Sequence, residues 1–233
     1  MNFNSALDLT AVRFGKGGHP AVRYPSGDRD MCIMEAVAFM ADEPWSDQPA
    51  CACPVISGLL RVWNDSLSSE DRDRLLPADK WVPRLIGSRR GTPTEQRRSY
   101  LALDWLVRTY LPAWLDLTPA FADHAAALRG LPEIVDPAAE AQASVAIEKV
   151  IEDSTDHINP GCVTHDQGFY DRVFGACGGD AVDGAATGGT NQIDIALHNA
   201  VKAATRLDVD LSPTVETLQQ SVLDLLDRML TCK

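Results

Sequence analysis

Apolar residues recur every three or four positions along most of the chain, which is the period of one face of an α-helix. This spacing or helix-favouring composition marks residues 31–43, 54–66, 68–76, 94–117, 119–128, 138–154, 191–207 and 212–231. Only the segment VRYPSGDRD, residues 22–30, has the turn residues of a possible hairpin. The sequence therefore predicts an all-α, multi-helix, bundle-like fold with at most a short β-hairpin near the N-terminus.

The segment 94–117 is the most apolar of the predicted helices. Its apolar residues cover so wide an arc that we expect burial along most of its length. Pro112 lies within it, and a proline lacks the backbone donor and clashes with the preceding turn, so a kink or a break is expected there. Asp104 and Arg108 are four residues apart and are expected to form an intrahelical ion pair.

Aromatic residues are unevenly distributed, since all but Phe169, Tyr170 and Phe174 precede residue 122. Because aromatic side chains bury the most area each, we predict a compact, Trp-rich helical module over residues 1–131. Residues 132–233 form an acidic, Ala-rich helical region. It has a Gly-rich flexible linker at about 175–189 and ends in two amphipathic helices.

The last predicted helix carries a continuous apolar stripe opposite a polar face. A stripe of this kind is typical of docking or dimerisation. We therefore hypothesise self-association through Val215, Leu218, Val222, Leu225 and Met229.

Composition and charge exclude several classes of protein. The 233 residues carry a net charge of −12, which cannot supply the clustered positive charge of a general nucleic-acid binder. A hydrophobic fraction of 45% argues against intrinsic disorder. No apolar run is long enough to span a bilayer, and the first residues lack the pattern of a secretory signal. We expect a cytoplasmic protein with reduced cysteines and no membrane partner.

The most suggestive polar cluster surrounds the first predicted helix and comprises His19, Cys32, Glu35, Asp47, Cys51 and Cys53. His19, Cys32, Cys51 and Cys53 have the chemistry of a tetrahedral zinc site, although one residue between Cys51 and Cys53 is a tighter gap than structural zinc sites favour. A second alternative makes Cys32 a nucleophile at a helix N-terminus, with His19 as base and Asp47 as orienting acid. Buried thiols without a cofactor are the favoured interpretation.

A positive segment interrupts the acidic chain. Residues 84–98 hold one acid, Glu95, and five arginines: Arg84, Arg89, Arg90, Arg97 and Arg98. Guanidinium groups of this density are suited to bind a phosphate-rich or an acidic partner through bidentate contacts. The competing interpretation pairs them with the protein's own carboxylates. Gly15, Gly17 and Gly18 lack the Lys-Ser/Thr end of a phosphate-binding loop and are expected to form a tight turn.

Four segments resemble a family of uncharacterised proteins from actinobacteria and their phages. They are MCIMEAVAFMADEPWSDQPACACPV, RVWNDSL, YLALDWLVRTYLPAWLDL and LSPTVETLQQSVLDLLDRM. The resemblance covers most of the chain and is weakest between Ile134 and Gly189. It implies a phage or prophage setting and carries no assigned activity.

Taken together, the sequence favours a non-enzymatic interaction or assembly protein that binds itself or a host or phage protein. One alternative is a zinc- or thiol-dependent hydrolase built on His19, Cys32 and Glu35. Another is an acidic nucleic-acid mimic that uses the carboxylates between Glu133 and Asp183.

Overall fold

The computed structural model describes residues 7–155, 190–207 and 209–232. Within these ranges the fold is all-α and contains no strand, as predicted. The α-helices are α1 (Ile33–Met40), α2 (Pro54–Ser66), α3 (Ser69–Leu75), α4 (Ala78–Leu85), α5 (Thr92–Trp105), α6 (Leu111–Leu115), α7 (Ala122–Arg129), α8 (Pro137–Thr155), α9 (Thr190–Arg206) and α10 (Ser212–Thr231). None of the helices in the described part of the chain is both long and apolar enough to cross a membrane.

Residues 22–30, for which at most a short hairpin was predicted, form no strand. Arg13 and Asp28 make a single isolated bridge instead. The Asp30 carboxylate accepts hydrogen bonds from the backbone N–H groups of Ser26 at 2.6 Å and Gly27 at 3.1 Å. A side chain thus closes the turn, since this polar segment has no alternating apolar face that would favour strand pairing.

The described residues fall into two compact units whose boundary differs from the predicted one at residue 131. The first unit contains the described residues up to Arg98 and those from Met229 onwards, and the second contains those from Ser99 to Arg228. The predicted Gly-rich linker at 175–189 lies outside the described residues.

In the first unit, α1 contacts both α2 and α4. Nearly every side chain of α1 is buried, because its sequence IMEAVAFM is apolar on all faces but one. The helix α4 was not predicted, and it contains Pro83, a residue that usually ends or kinks a helix. Trp81 anchors α4 in the core, and its indole N–H donates to the Leu75 carbonyl at 3.0 Å.

In the second unit, α6 contacts α7 and α9, and α8 contacts α7 and α9. Before α6 the chain forms a π-helical segment, Leu106–Tyr110. Pro112 explains its position, because proline offers no N–H and its ring collides with the carbonyl four residues earlier. The expected ion pair is confirmed, with Arg108 Nη1 2.9 Å from Asp104 Oδ1.

Candidate functional site

Glu35 is the centre of the polar cluster around α1 and is only 2% exposed. Its Oε1 accepts a hydrogen bond from the backbone N–H of His19 at 2.7 Å, and its Oε2 accepts one from the N–H of Cys32 at 2.7 Å. Oε2 also lies 2.8 Å from His19 Nδ1. The carboxylate thereby caps the first turn of α1 and fastens the preceding loop to it.

The structure does not arrange Cys32 as a nucleophile. Burial is the main cause that raises the pKa of its thiol to about 12, and the negative charge of Glu35 acts in the same direction. Asp47, the hypothesised orienting acid, accepts from Arg61 Nη1 at 3.2 Å, while His19 Nδ1 faces Glu35. The hydrolase alternative therefore lacks the activated thiolate that it requires.

The metal site hypothesised from His19, Cys32, Cys51 and Cys53 is not assembled. Across residues 7–155, 190–207 and 209–232, no group of three or more His, Cys, Asp or Glu side chains is placed to hold an ion. Cys53 is fully buried at the start of α2, and Cys51 is half-buried, which raises its thiol pKa. Both are free thiols in the structure.

We expect Cys32 to be alkylated much more slowly than Cys51 in the folded protein. A shift from 9.0 to about 12 lowers the thiolate fraction at pH 8 by roughly 1,000-fold, because each pKa unit is a factor of ten. Timed iodoacetamide labelling followed by peptide mass mapping measures both rates, with urea-unfolded protein as the control in which they converge. Rapid labelling of Cys32 in the folded protein would restore the thiol-dependent alternative.

The glycine run near the N-terminus forms a packed turn, as expected. The Gly15 carbonyl accepts from Asn64 Nδ2 at 2.9 Å, and the Gly17 N–H donates to Asp65 Oδ1 at 2.8 Å. A Cβ at Gly15 would overlap the His19 ring. Because the Gly17 N–H already faces a carboxylate, this turn is unsuited to cradling a phosphate.

The five arginines of residues 84–98 differ in their surroundings. Arg98 is 1% exposed and donates from Nε to the Met229 carbonyl at 2.8 Å and from Nη1 to the Ser88 carbonyl at 2.6 Å. Its assignment to a partner-binding surface is corrected, because its guanidinium is buried and bound to backbone. Arg84 is half-buried and lies 4.8 Å from the ring centroid of Trp81.

The remaining three, Arg89, Arg90 and Arg97, are exposed, and we call them the arginine surface. Arg89 and Arg90 lie in the loop 86–91, and Arg97 lies on α5. The Arg89 side chain is 54% exposed and its Nε is 3.7 Å from Glu95 Oε1. These residues keep the accessibility that partner binding requires, and their partner role stays a prediction.

The loop 86–91 that carries Arg89 and Arg90 is fixed at several points. The Ser88 hydroxyl accepts from the Cys53 N–H at 3.0 Å, and the Ser88 carbonyl accepts from Arg98. The Arg89 N–H donates to the Cys51 carbonyl at 3.1 Å. Gly91, with φ of +90°, supplies the left-handed conformation at the end of the loop. The arginine surface thus stands on a constrained backbone.

The apolar stripe of α10 belongs to the core, which corrects the self-association hypothesis for it. Leu218, Val222, Leu225 and Met229 are each at most 4% exposed, and Val215 is partly exposed. Apolar area that one chain already covers is not available for burial against a second copy. The stripe therefore packs within this chain and not against a second copy.

Sequence reasoning missed a cleft of about 450 Å³ beside the first turns of α2. Its lining includes Ser57, Gly58 and Arg61 from α2 and Arg89 from the loop 86–91. Ser57 and Arg61 are four residues apart and share one face of the helix. That spacing was the available signal, but nothing in the sequence shows that Arg89 approaches the same face.

Comparisons of the chain with protein-family models, with curated proteins and with solved structures find no match. The resemblance to actinobacterial and phage proteins therefore stays a prediction.

Proposed function

We propose that this protein is a non-enzymatic, α-helical binding protein whose arginine surface contacts an acidic surface on a protein partner. The observation that carries the proposal is the exposure of Arg89, Arg90 and Arg97 on and beside a constrained loop. The phage or prophage setting rests on the motif resemblance alone.

The local charge supports an acidic partner. The whole chain carries −12, so the arginine surface is a positive exception on an otherwise acidic molecule. Arginine presents a planar fork of donors that matches a carboxylate and holds a weaker hydration shell than lysine. Complementary charges of this kind set the orientation of a complex and raise its association rate.

The anchoring of the loop 86–91 supports binding for a second reason. Ordering a loop upon association costs conformational free energy, and a loop that is already fixed avoids part of that cost. Ser88 and Arg98 provide this preorganisation through hydrogen bonds at 3.0 Å and 2.6 Å. Arg98 is therefore a positioning residue for the surface and not part of it.

A second copy of this chain is one acidic partner whose chemistry is known. Its net charge of −12 leaves many carboxylates for the arginine surface of another copy. This version replaces the self-association through α10, and light scattering at low and high salt tests it: the mass should exceed a monomer at low salt and fall at high salt.

Reversing Arg90 and Arg97 together to glutamate is expected to weaken binding of a rhodamine-labelled oligoglutamate peptide about 10-fold or more, because attraction becomes repulsion. Fluorescence anisotropy of the full chain measures the affinity. Lys16 and Arg23 are also exposed in the first unit, so Lys16→Glu/Arg23→Glu is a control with the same change in net charge. An equal loss in both variants, or none in either, would contradict the proposal.

The sequence also left open a hydrolase and a nucleic-acid mimic, and the described residues bear on each of them differently. The hydrolase built on His19, Cys32 and Glu35 lacks an activated thiolate and an assembled metal site among the described residues. The nucleic-acid mimic depends on carboxylates between Glu133 and Asp183, and residues 156–189 lie outside the described part. No contact among the described residues favours either alternative over the binding protein.

A further inference from the structure

We propose that the cleft beside α2 is a binding site for a small molecule that bears one oxyanion, a carboxylate or a phosphate. Its volume of about 450 Å³ lies within the range of small-molecule sites. Ser57 and Arg61 carry the proposal and are not part of the arginine surface. Arg89 lines the cleft and also belongs to that surface, so the variants that separate the two sites leave Arg89 unchanged.

Ser57 is the observation that points to a ligand. The residue lines the cleft and is only 3% exposed. Its hydroxyl oxygen is buried and has no hydrogen-bond partner anywhere in the described residues. A buried hydroxyl without a partner destabilises the fold, and such a group in a cleft is explained when a ligand supplies the missing hydrogen bond.

The charges around the cleft select an anion. Arg61 lines it from the same face of α2 as Ser57, and Arg89 lines it from the loop 86–91. The cleft also lies beside the N-terminal turns of α2, whose backbone dipole favours negative charge. Gly58, between the two α2 side chains, adds no side chain that would fill the cleft.

Among the described residues, Asp47 and Glu95 face these arginines and compete with a ligand. Asp47 Oδ2 lies 3.2 Å from Arg61 Nη1, and Glu95 Oε1 lies 3.7 Å from Arg89 Nε. The Asp47 side chain is 43% exposed and the Arg61 side chain is 21% exposed, so water can solvate the Asp47 carboxylate when it leaves the pair. A ligand oxyanion can therefore displace Asp47 from Arg61 at small cost, and removing the Asp47 charge should strengthen binding.

The experiment follows the backbone amides of Ser57 and Gly58 and the Nε–H of Arg61 by NMR while the full chain is titrated with inorganic phosphate or with acetate. Sodium chloride at matched ionic strength is the control. We expect saturable shifts with phosphate, with acetate or with both, and the stronger of the two identifies the oxyanion. Shifts that match those of chloride for both probes would overturn the proposal.

Three variants test the named residues. Arg61→Gln should abolish saturation, and Asp47→Asn should tighten binding severalfold. Ser57→Ala should weaken binding while its melting temperature stays the same or rises, because it removes an unpartnered buried hydroxyl. Unchanged phosphate and acetate affinities in Ser57→Ala would overturn the assignment of its hydroxyl, and unchanged affinities in Arg61→Gln would overturn the site.

Arg90→Glu/Arg97→Glu separates this site from the proposed function. Neither residue lines the cleft, so this variant should lose oligoglutamate binding and keep phosphate or acetate binding. Arg61→Gln should do the opposite. If both variants lost both oligoglutamate binding and phosphate or acetate binding, the cleft and the arginine surface would be one site. That result would overturn the proposal of a separate site.

Discussion

Replacing Leu225 with aspartate is expected to unfold the protein or to lower its melting temperature by roughly 10 °C or more. Leu225 is 1% exposed, and a charge at this position would be buried without a partner. Substitutions of this kind cost about 4 kcal/mol or more, a large part of the total stability of a domain. Thermal unfolding followed by circular dichroism measures the change.

The same substitution distinguishes a core stripe from a dimer interface. Gln220→Asp adds the same charge to the exposed face of α10 and should change the stability by no more than about 0.5 kcal/mol. If Leu225→Asp remained as stable as the wild type and only its mass in light scattering fell, α10 would be an interface and its placement in the core would be wrong.

Arg98→Met is expected to lower the free energy of unfolding by about 2–4 kcal/mol. Methionine fills most of the space but donates no hydrogen bond, so the carbonyls of Ser88 and Met229 lose their donor at 2.6 Å and 2.8 Å. A buried acceptor left without a partner costs about 1–3 kcal/mol. Chemical denaturation measures the loss of stability.

Arg97→Met provides the matched control, since Arg97 is the adjacent arginine on α5 and is exposed. Its effect on stability should stay within about 0.5 kcal/mol. Because Arg98 positions the loop 86–91, Arg98→Met should also reduce oligoglutamate binding although Arg89, Arg90 and Arg97 are intact. Equal stabilities of the two variants would contradict the structural role assigned to Arg98.

Much of the fold follows from local patterns. The predicted helices 54–66 and 212–231 coincide with α2 and α10, because both begin with good first-turn residues and keep a regular apolar face. Ser68 caps the predicted helix at 68–76, with its Oγ accepting from the Asp71 N–H at 3.0 Å. Pro112 perturbs its helix, and the perturbation is a π-helical segment.

Long-range contacts explain what the sequence could not predict. Arg98 belongs to a run of charged residues, and its burial depends on carbonyls 10 and 131 residues away. The stripe of α10 shows that a face is buried but not what covers it, so it was assigned to a second copy. The cleft needs Arg89 to lie beside Ser57 and Arg61, which no spacing encodes.

The cluster around Glu35 shows how a local signal can be misinterpreted. Cys32 and Glu35 have the three-residue spacing of a capping box, with cysteine in place of serine or threonine. Their residue types suggested a reactive site, but the Glu35 carboxylate binds the N–H groups of Cys32 and His19, both at 2.7 Å. The role of this cluster is therefore structural: Glu35 holds the preceding loop to the start of α1.

We propose that the arginine surface, and not the cluster around His19 and Cys32, is the binding site. An NMR titration of the isotopically labelled full chain with an unlabelled oligoglutamate peptide tests this proposal. Saturable shifts are expected at the side-chain Nε–H groups of Arg89, Arg90 and Arg97 and in the amides of the loop 86–91. Shifts centred on His19 and Cys32, or none at the arginine surface, would contradict it.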